Sequence, residues 1–386
     1  MKTATRLPAR TLTASARARF NPVRTLTPET LGRLLEGFHA GELRATALAW
    51  EAIEQRDDVL KAVASKRKKA PGRFGWEIEQ LDNSDEAKAH ADALDYFYRH
   101  LTAAHAVDGN EIGGFSLLTR QMMDAVGKRY AVHEVIWQPQ ADGHLTARLA
   151  FVPLWFFENR TGRLRFLATE GARDGVELEP GGWLLSTGEG LMEASSIAYL
   201  YKHLPLRDWL VYCERNGMPG VRGVTDALPG SAEWEAALEA VRDFGAEFHA
   251  LMSRGTDIEP IDLSSRSALP YPGLVERMDT ALVTLWRGTS MGTFTERGAG
   301  VTLQLREAKL IERDDAEHLS GLLQTQLDRW VLRYQFGHDT VPKARINVRH
   351  REAGLREEHV EDVREIIAEA LPQAVATFVK QFLPNA

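Results

Sequence analysis

Apolar residues recur at three- and four-residue intervals along most of the chain, so helices are expected to dominate. "TLTPETLGRLLEGFHAGEL" opens the first one: Thr27 is placed to cap it, Pro28 takes the first helical position, and Glu29 suits the dipole. Its apolar stripe is Leu31, Leu34, Leu35 and Phe38. A shorter helix follows and ends in the basic run Lys66 to Lys69, expected to be solvated, before a Pro-Gly break and an alternating strand. Two helical patterns occupy 84–105 and 114–128, the second passing through Gly127 into a strand from Tyr130 to Gln138. Region 145–186 reads as β-rich, with a hairpin turn at Asn159 to Gly162.

A long helix is predicted from Leu191 to Asn216, kinked at Pro205 and stopped by Gly217 and Pro219. Trp234, Leu238, Val241, Phe244, Phe248, Leu251 and Met252 predict a further helix of about six turns. The extended "DIEPIDLSSRS" leads to a helix over 272–286, then to the glycine-rich "LWRGTSMGTFTERGAGVTLQ". Leu319, Leu322, Leu323, Leu327, Trp330, Val331 and Tyr334 stripe a long helix; a strand near 344–349 and two short helices follow. The fold class is therefore α+β and helix-rich.

Composition narrows the function. A net charge of −7 over 386 residues argues against tight nucleic-acid binding, which needs an excess of basic residues. The exception is local: the first 24 residues carry Lys2, Arg6, Arg10, Arg17, Arg19 and Arg24 with no acid, and read as a disordered basic tail rather than a secretory signal, because no apolar stretch follows. The single cysteine, Cys213, rules out an intrachain disulfide and a cysteine-cluster zinc site, and its apolar setting predicts a buried, inert side chain. No window reaches the roughly 18 apolar residues of a membrane span.

The glycine-rich stretch invites a phosphate-loop reading, which fails because no Lys-Ser or Lys-Thr follows any of its glycines and its flanks are helical rather than βαβ. H-E-x-x-H, C-x-x-C and G-x-S-x-G are absent. His133 and Glu134 are neighbours on a strand and so point to opposite faces. His318 reads as a surface or interface side chain, and Asp57-Asp58 and Asp314-Asp315 as helix-terminal or solvated pairs. No catalytic residue, metal ligand or cofactor is expected, and the chain is not expected to be an enzyme.

Two runs carry a resemblance. "LLTRQMMDAVGKRYAVHEVIWQP" looks like a hallmark of phage portal proteins, and "YKHLPLRDWLVYCERNGMPGVRG" resembles their Mu-like branch, with Lys202, Trp209, Glu214, Gly217 and Pro219 in a K…W…E-r-x-G-x-P pattern. The later "DIEPID" segment, the helix, the loop and "ERDDAEHLSGLLQTQLDRWVL" follow in the same order, over roughly residues 20–350. The resemblance implies a homo-oligomeric ring, usually of about twelve subunits, at one capsid vertex. Such a ring passes double-stranded DNA without sequence specificity, docks the terminase large subunit, and meets scaffold, capsid and head–tail connector proteins. Its place is the virion, after assembly in the bacterial cytoplasm, with no membrane involved. The other readings are a different head–tail connector, or an intracellular enzyme with an unrecognised site.

On the portal plan, 1–24 is the basic tail, 25–231 the wing, 232–252 a stem helix, 253–271 the clip, 272–286 the second stem helix, 287–303 the tunnel loop, 304–340 the long wing helix and 341–386 the crown and C-terminal region. The tunnel loop then supplies the DNA-channel residues: Arg287, Gly288, Thr289, Ser290, Gly292, Thr293, Thr295, Arg297, Gly298 and Gly300. Glycines give the backbone slack, hydroxyls give neutral contacts to phosphates, and the two arginines add weak sequence-independent attraction. Trp234, Phe248, Trp286 and Trp330 are the candidates for contact between subunits.

Overall fold

A computed structural model describes residues 26–169, 172–217, 221–244, 249–253, 270–288 and 300–350. Helix α1 (Pro28–His39) starts as its sequence predicts: the Thr27 hydroxyl accepts a hydrogen bond from the Thr30 backbone amide, and the Thr30 hydroxyl accepts one from the Thr27 amide, completing a capping box. Helices α2 (Leu43–Arg56) and α3 (Asp58–Lys69) share one joint residue, Asp57, which ends the first and caps the second by accepting from the Leu60 amide at 2.8 Å. Strand β1 (Trp76–Gln80) and helix α4 (Asp85–His100) follow, the helix capped by Ser84. The helical pattern over 84–105 stops early, because Thr102–His105 is strand β2.

β2 belongs to a five-stranded sheet with β3 (Ile112–Gly113), β4 (Tyr130–Pro139), β5 (Leu145–Val152) and β9 (Trp183–Thr187), in the order β3-β2-β5-β4-β9. β2 runs parallel to β5 and the other pairings are antiparallel. Helices α5 (Phe115–Met122) and α6 (Asp124–Lys128) divide the predicted 114–128 helix at Met123. A small sheet of β6 (Phe157–Glu158), β7 (Arg165–Phe166) and β8 (Val176–Glu177) holds the predicted hairpin. Leu94, Phe97, Val132, Val135, Leu149 and Leu184 join the helices and the larger sheet in one buried core.

Helix α7 (Met192–Gly217) keeps Pro205 inside it. Beyond it the expected six-turn helix is corrected. Helix α8 (Ala232–Phe244) is shorter, and His249–Ser253 is strand β11, paired in parallel with β10 (Val221–Thr225). A short apolar run fits both periods, and here strand pairing across the crossover helix decides it.

Helix α9 (Pro270–Arg287) and helix α10 (Gly300–Leu323) complete the middle of the chain. α10 passes through one π turn, Gln324–Asp328, into α11 (Arg329–Phe336), and β12 (Ala344–Val348) pairs antiparallel with β1.

The π turn seals two sheet edges. Ser320, Gln324 and Asp328 serve the edge of β12 that β1 leaves open: Val348 N–H donates to Ser320 Oγ, Ile346 N–H to Asp328 Oδ2 (both 2.8 Å), and Gln324 Nε2 donates to the Ile346 carbonyl at 2.7 Å. Gln326 does the same for β9, accepting from Leu185 N–H and donating to Leu185 C=O, both at 2.8 Å. Side chains thus replace a missing strand. Among the described residues no helix is long and apolar enough to cross a membrane.

Candidate functional site

The channel loop expected from the sequence would lie between α9 and α10, and the described geometry beside it is how those helices are anchored. α7 and α9 run antiparallel, in a register set by three pairs. Trp286 Nε1 donates to Ser195 Oγ at 2.9 Å, Lys202 Nζ lies 2.6 Å from Asp279 Oδ1, and the Trp209 and Tyr271 rings stack with centroids 6.4 Å apart. Each step of two turns along α7 is matched by two turns back along α9.

Lys202 is the polar centre of this pair. Its ammonium also meets Asp58 Oδ1 at 2.9 Å and Asp57 Oδ2 at 3.1 Å, so one lysine ties both helices to the α2–α3 joint. Burial pulls the lysine pKa down, but Asp279, Asp58 and Asp57 outweigh it, and the pKa lies above the ordinary lysine value. Asp57 is fully buried and its carboxylate accepts from Leu60 N–H as well as from Lys202, with His203 Nε2 3.2 Å away. Its carboxyl is held below the usual range by those partners despite its burial. Asp57 and Asp58 sit at a helix N-terminus as expected, Asp57 as the cap and Asp58 exposed in the first turn; what the sequence does not give is that Asp57 is buried and ion-paired.

Trp286 anchors the end of α9. Its indole is fully buried and lies over Gly127, where an added Cβ would sit 2.9 Å from the ring carbon Cζ-side edge atom Cη2. It fills the chain's own core and leaves no surface for a neighbouring subunit, which corrects its placing among the interface candidates. Two residues further on, Gly288 adopts φ +75 and its amide donates to the Thr284 carbonyl at 2.8 Å, closing the helix with a left-handed residue.

The far side of the loop is pinned by α10. Arg67 Nε and Nη2 donate to both carboxylate oxygens of Asp315, at 2.9 and 3.0 Å, and Nη2 also reaches Glu189 at 2.8 Å. Arg67 and Lys68 are buried, so the basic run at 66–69 is only partly the solvated helix end expected of it; Lys66 and Lys69 remain exposed. Asp315 is likewise a buried partner and not a solvated carboxylate.

Of the predicted channel residues, Arg287, Gly288 and Gly300 mark the two helix ends. Thr289, Ser290, Gly292, Thr293, Thr295, Arg297 and Gly298 lie outside the described residues, as does Phe248 among the interface candidates. Trp234 and Trp330 are half-buried, and Trp330 rests against Gly181 and Tyr334. Cys213 is exposed, contrary to expectation. His318 Nε2 donates to the Thr187 carbonyl, 2.8 Å away, and so pins β9 to α10. His133 is buried and burial lowers its pKa to about 3, which keeps it neutral. Among the described residues no group of His, Cys, Asp and Glu is arranged to hold a metal ion.

Sequence reasoning singled out Lys202, Asp57 and Asp58 but not Asp279 or their pairing, and it missed the Arg67–Asp315 pair. A charged residue interrupting an apolar helix face is the only sequence signal for either, and it does not name the partner.

Residues 47–383 match the family described as the portal protein of Mu bacteriophage. The chain is 23% identical over 295 residues to a Haemophilus influenzae protein described as Mu-like prophage FluMu protein gp29, covering 73% of this chain and 54% of that one. It is 22% identical over 289 residues to the portal protein of Escherichia phage Mu, covering 72% and 54%. The chain thus spans about half the length of the curated relatives it matches. A chain from the neck of an empty GTA particle, computed with C6 symmetry, superposes with a TM-score of 0.48 at 10% identity, over 87% of this chain and 89% of that one.

Proposed function

The chain belongs to the portal protein family of Mu bacteriophage, and on that premise we propose that it is the portal subunit of a tailed phage or Mu-like prophage. Copies assemble as a ring at one capsid vertex, conduct double-stranded DNA during packaging and ejection, and dock terminase and the head–tail connector. The subunit carries no catalysis in this reading, and the ATP hydrolysis that drives packaging belongs to terminase.

The observation that carries the reading is the family match across 47–383, and the architecture agrees with the mechanical task. An antiparallel pair, α7 and α9, leads away from the core and is interrupted by a separate β10–α8–β11 unit. The stem is therefore assigned to α7 and α9, in place of a stem helix at 232–252, and the clip to the segment between them. The tunnel loop remains the segment between Gly288 and Gly300. Its neutral hydroxyls suit cargo that must slide, since each strong phosphate contact would resist movement. The basic tail and the crown keep their places at 1–24 and 341–386 as part of the proposal.

Ile197, Tyr201, Leu210 and Val211 are exposed apolar side chains along α7. They exceed what the chain's own core absorbs, and in this reading they supply contact between copies.

Negative-stain images of the purified protein test the proposal. Rings with a central hole wide enough for a duplex are expected, and Leu210→Glu should abolish them. A protein that stays monomeric at high concentration, with and without scaffold, would overturn the reading. Shortening Gly288–Gly300 should spare the ring and impair DNA packaging or retention; loss of the ring in that deletion would remove the loop assignment.

A further inference from the structure

Away from the stem, a cavity of about 330 Å³ opens between α2, α3, α5 and α6, with Phe151 and Trp155 among its walls. That size is at the lower end of small-ligand sites. Its floor is an ion-pair chain. Asp124 holds Lys68 at 2.7 Å and Lys128 at 3.0 Å, Glu54 Oε1 takes Lys68 at 2.5 Å, and Glu51 takes Lys128 at 2.5 Å. Three carboxylates thus face two ammonium groups. One negative charge is left over, in a place where burial makes uncompensated charge costly.

The leftover charge has an address. Glu54 Oε2 is buried and has no hydrogen-bond partner, while its sister oxygen is committed to Lys68. Beside it in the same cavity, Gln121 is 6% exposed and its Nε2 also lacks a partner. The Gln121 amide is oriented from behind by neutral His133, whose Nε2 lies 3.2 Å from Gln121 Oε1. With the proton on that nitrogen, His133 donates to the oxygen and the amide N–H groups are turned away from it. Glu54 and Gln121 thus bring an unpartnered carboxylate oxygen and an unpartnered amide donor to the lining of a cavity that Phe151 and Trp155 also line. Aromatic faces favour cations over neutral polar groups. Lys61 and Lys69 stand exposed at the mouth, where water and salt screen them.

We propose that this cavity binds a single alkylammonium or guanidinium group, which donates to Glu54 Oε2 against the aromatic wall. The group comes either from a free organic cation or from a basic side chain of a second copy of the chain. The chemistry is the same in both cases, and the site does not depend on the portal reading.

The test is calorimetric titration of the full-length, dissociated subunit with n-butylammonium, guanidinium and, as the neutral match, n-butanol. Saturable binding of the cations and none of the alcohol is expected. Glu54→Gln keeps the shape and removes the surplus charge; it should fold with an unchanged or raised melting temperature and weaken cation binding about tenfold or more. Equal binding of n-butanol, no saturation, or unaltered affinity in Glu54→Gln would overturn the proposal. So would binding that emerges only after Lys61→Met or Lys69→Met, because the chain would then fill the cavity with its own lysine. Repeating the titration on assembled rings separates the sources: a neighbour's side chain excludes the added cation, whereas a site for a free cation binds it equally. Failure of the rings to form would count against the portal reading and leave the subunit result standing.

Discussion

Lys202 on α7 and Asp279 on α9 face each other across 2.6 Å, and the same ammonium holds Asp57 at the α2–α3 joint. One side chain therefore connects the helix pair to the body of the protein. Lys202→Met should cost about 3–5 kcal/mol, since it strands carboxylates inside the fold, whereas Asp279→Asn, which leaves Lys202 its other partners, should cost much less. Denaturant titration of the two variants gives the comparison. Equal, small losses would show that the cluster is solvated and structurally idle.

Gly288 closes α9 at φ +75, and a Cβ there would also stand 2.9 Å from Ile311 Cδ1. Gly288→Ala is expected to lose about 1–2 kcal/mol, from left-handed strain and from the contact with α10. Thermal melts read the loss. Gly273→Ala, at an exposed position on the same helix with open space around it, should be neutral or stabilising and serves as the control.

Asp328 is buried in the π turn, where burial raises its pKa to about 7 against the pull of Tyr98 O–H and Ile346 N–H. A carboxyl whose folded pKa is raised favours folding when protonated. Its contribution is complete below the ordinary aspartate range, near 3.8, and is lost as pH rises through about 7. Each unit of that interval is worth about 1.4 kcal/mol. Subtracting the stability of Asp328→Asn from wild type at several pH values should give a difference that falls with rising pH and levels off above about 7. A flat difference would place the folded pKa at its ordinary value.

Gln326 makes two hydrogen bonds to the Leu185 backbone. Gln326→Leu keeps the volume and orphans a donor and an acceptor on β9, for an expected loss of about 2–4 kcal/mol. Gln326→Glu retains the acceptor for Leu185 N–H and gives up the donor, so it should fall between. Hydrogen exchange at the Leu185 amide should speed up in the leucine variant first. Unchanged protection there would mean that β9 does not use the clamp.

Much of this architecture is legible in the residue order. Thr27 and Pro28 announce α1, the alternation at 130–138 announces β4, and the repeating leucines announce the α10–α11 rod. The wrong expectations share a cause. His249–Ser253 has apolar residues that suit either period, Arg67 and Lys68 look solvated in isolation, and Trp286 looks surplus until Gly127 is placed beneath it. Each depends on a residue far away in the chain. Ser320, Gln324 and Asp328 left a faint signal, a polar file at four-residue spacing beside the apolar stripe, but nothing in that file names β12 as its partner.

Local order determined most of the helices and strands, and that the 287–300 stretch lacks the chemistry of a nucleotide loop, because propensity, capping and motif spacing act between near neighbours. Tertiary structure alone decided which charges are buried, which helices form the antiparallel pair, and where an oxygen of Glu54 and an amide of Gln121 are left without partners. Those outcomes come from desolvation and packing between residues brought together by the fold, and a linear sequence carries no distances between them.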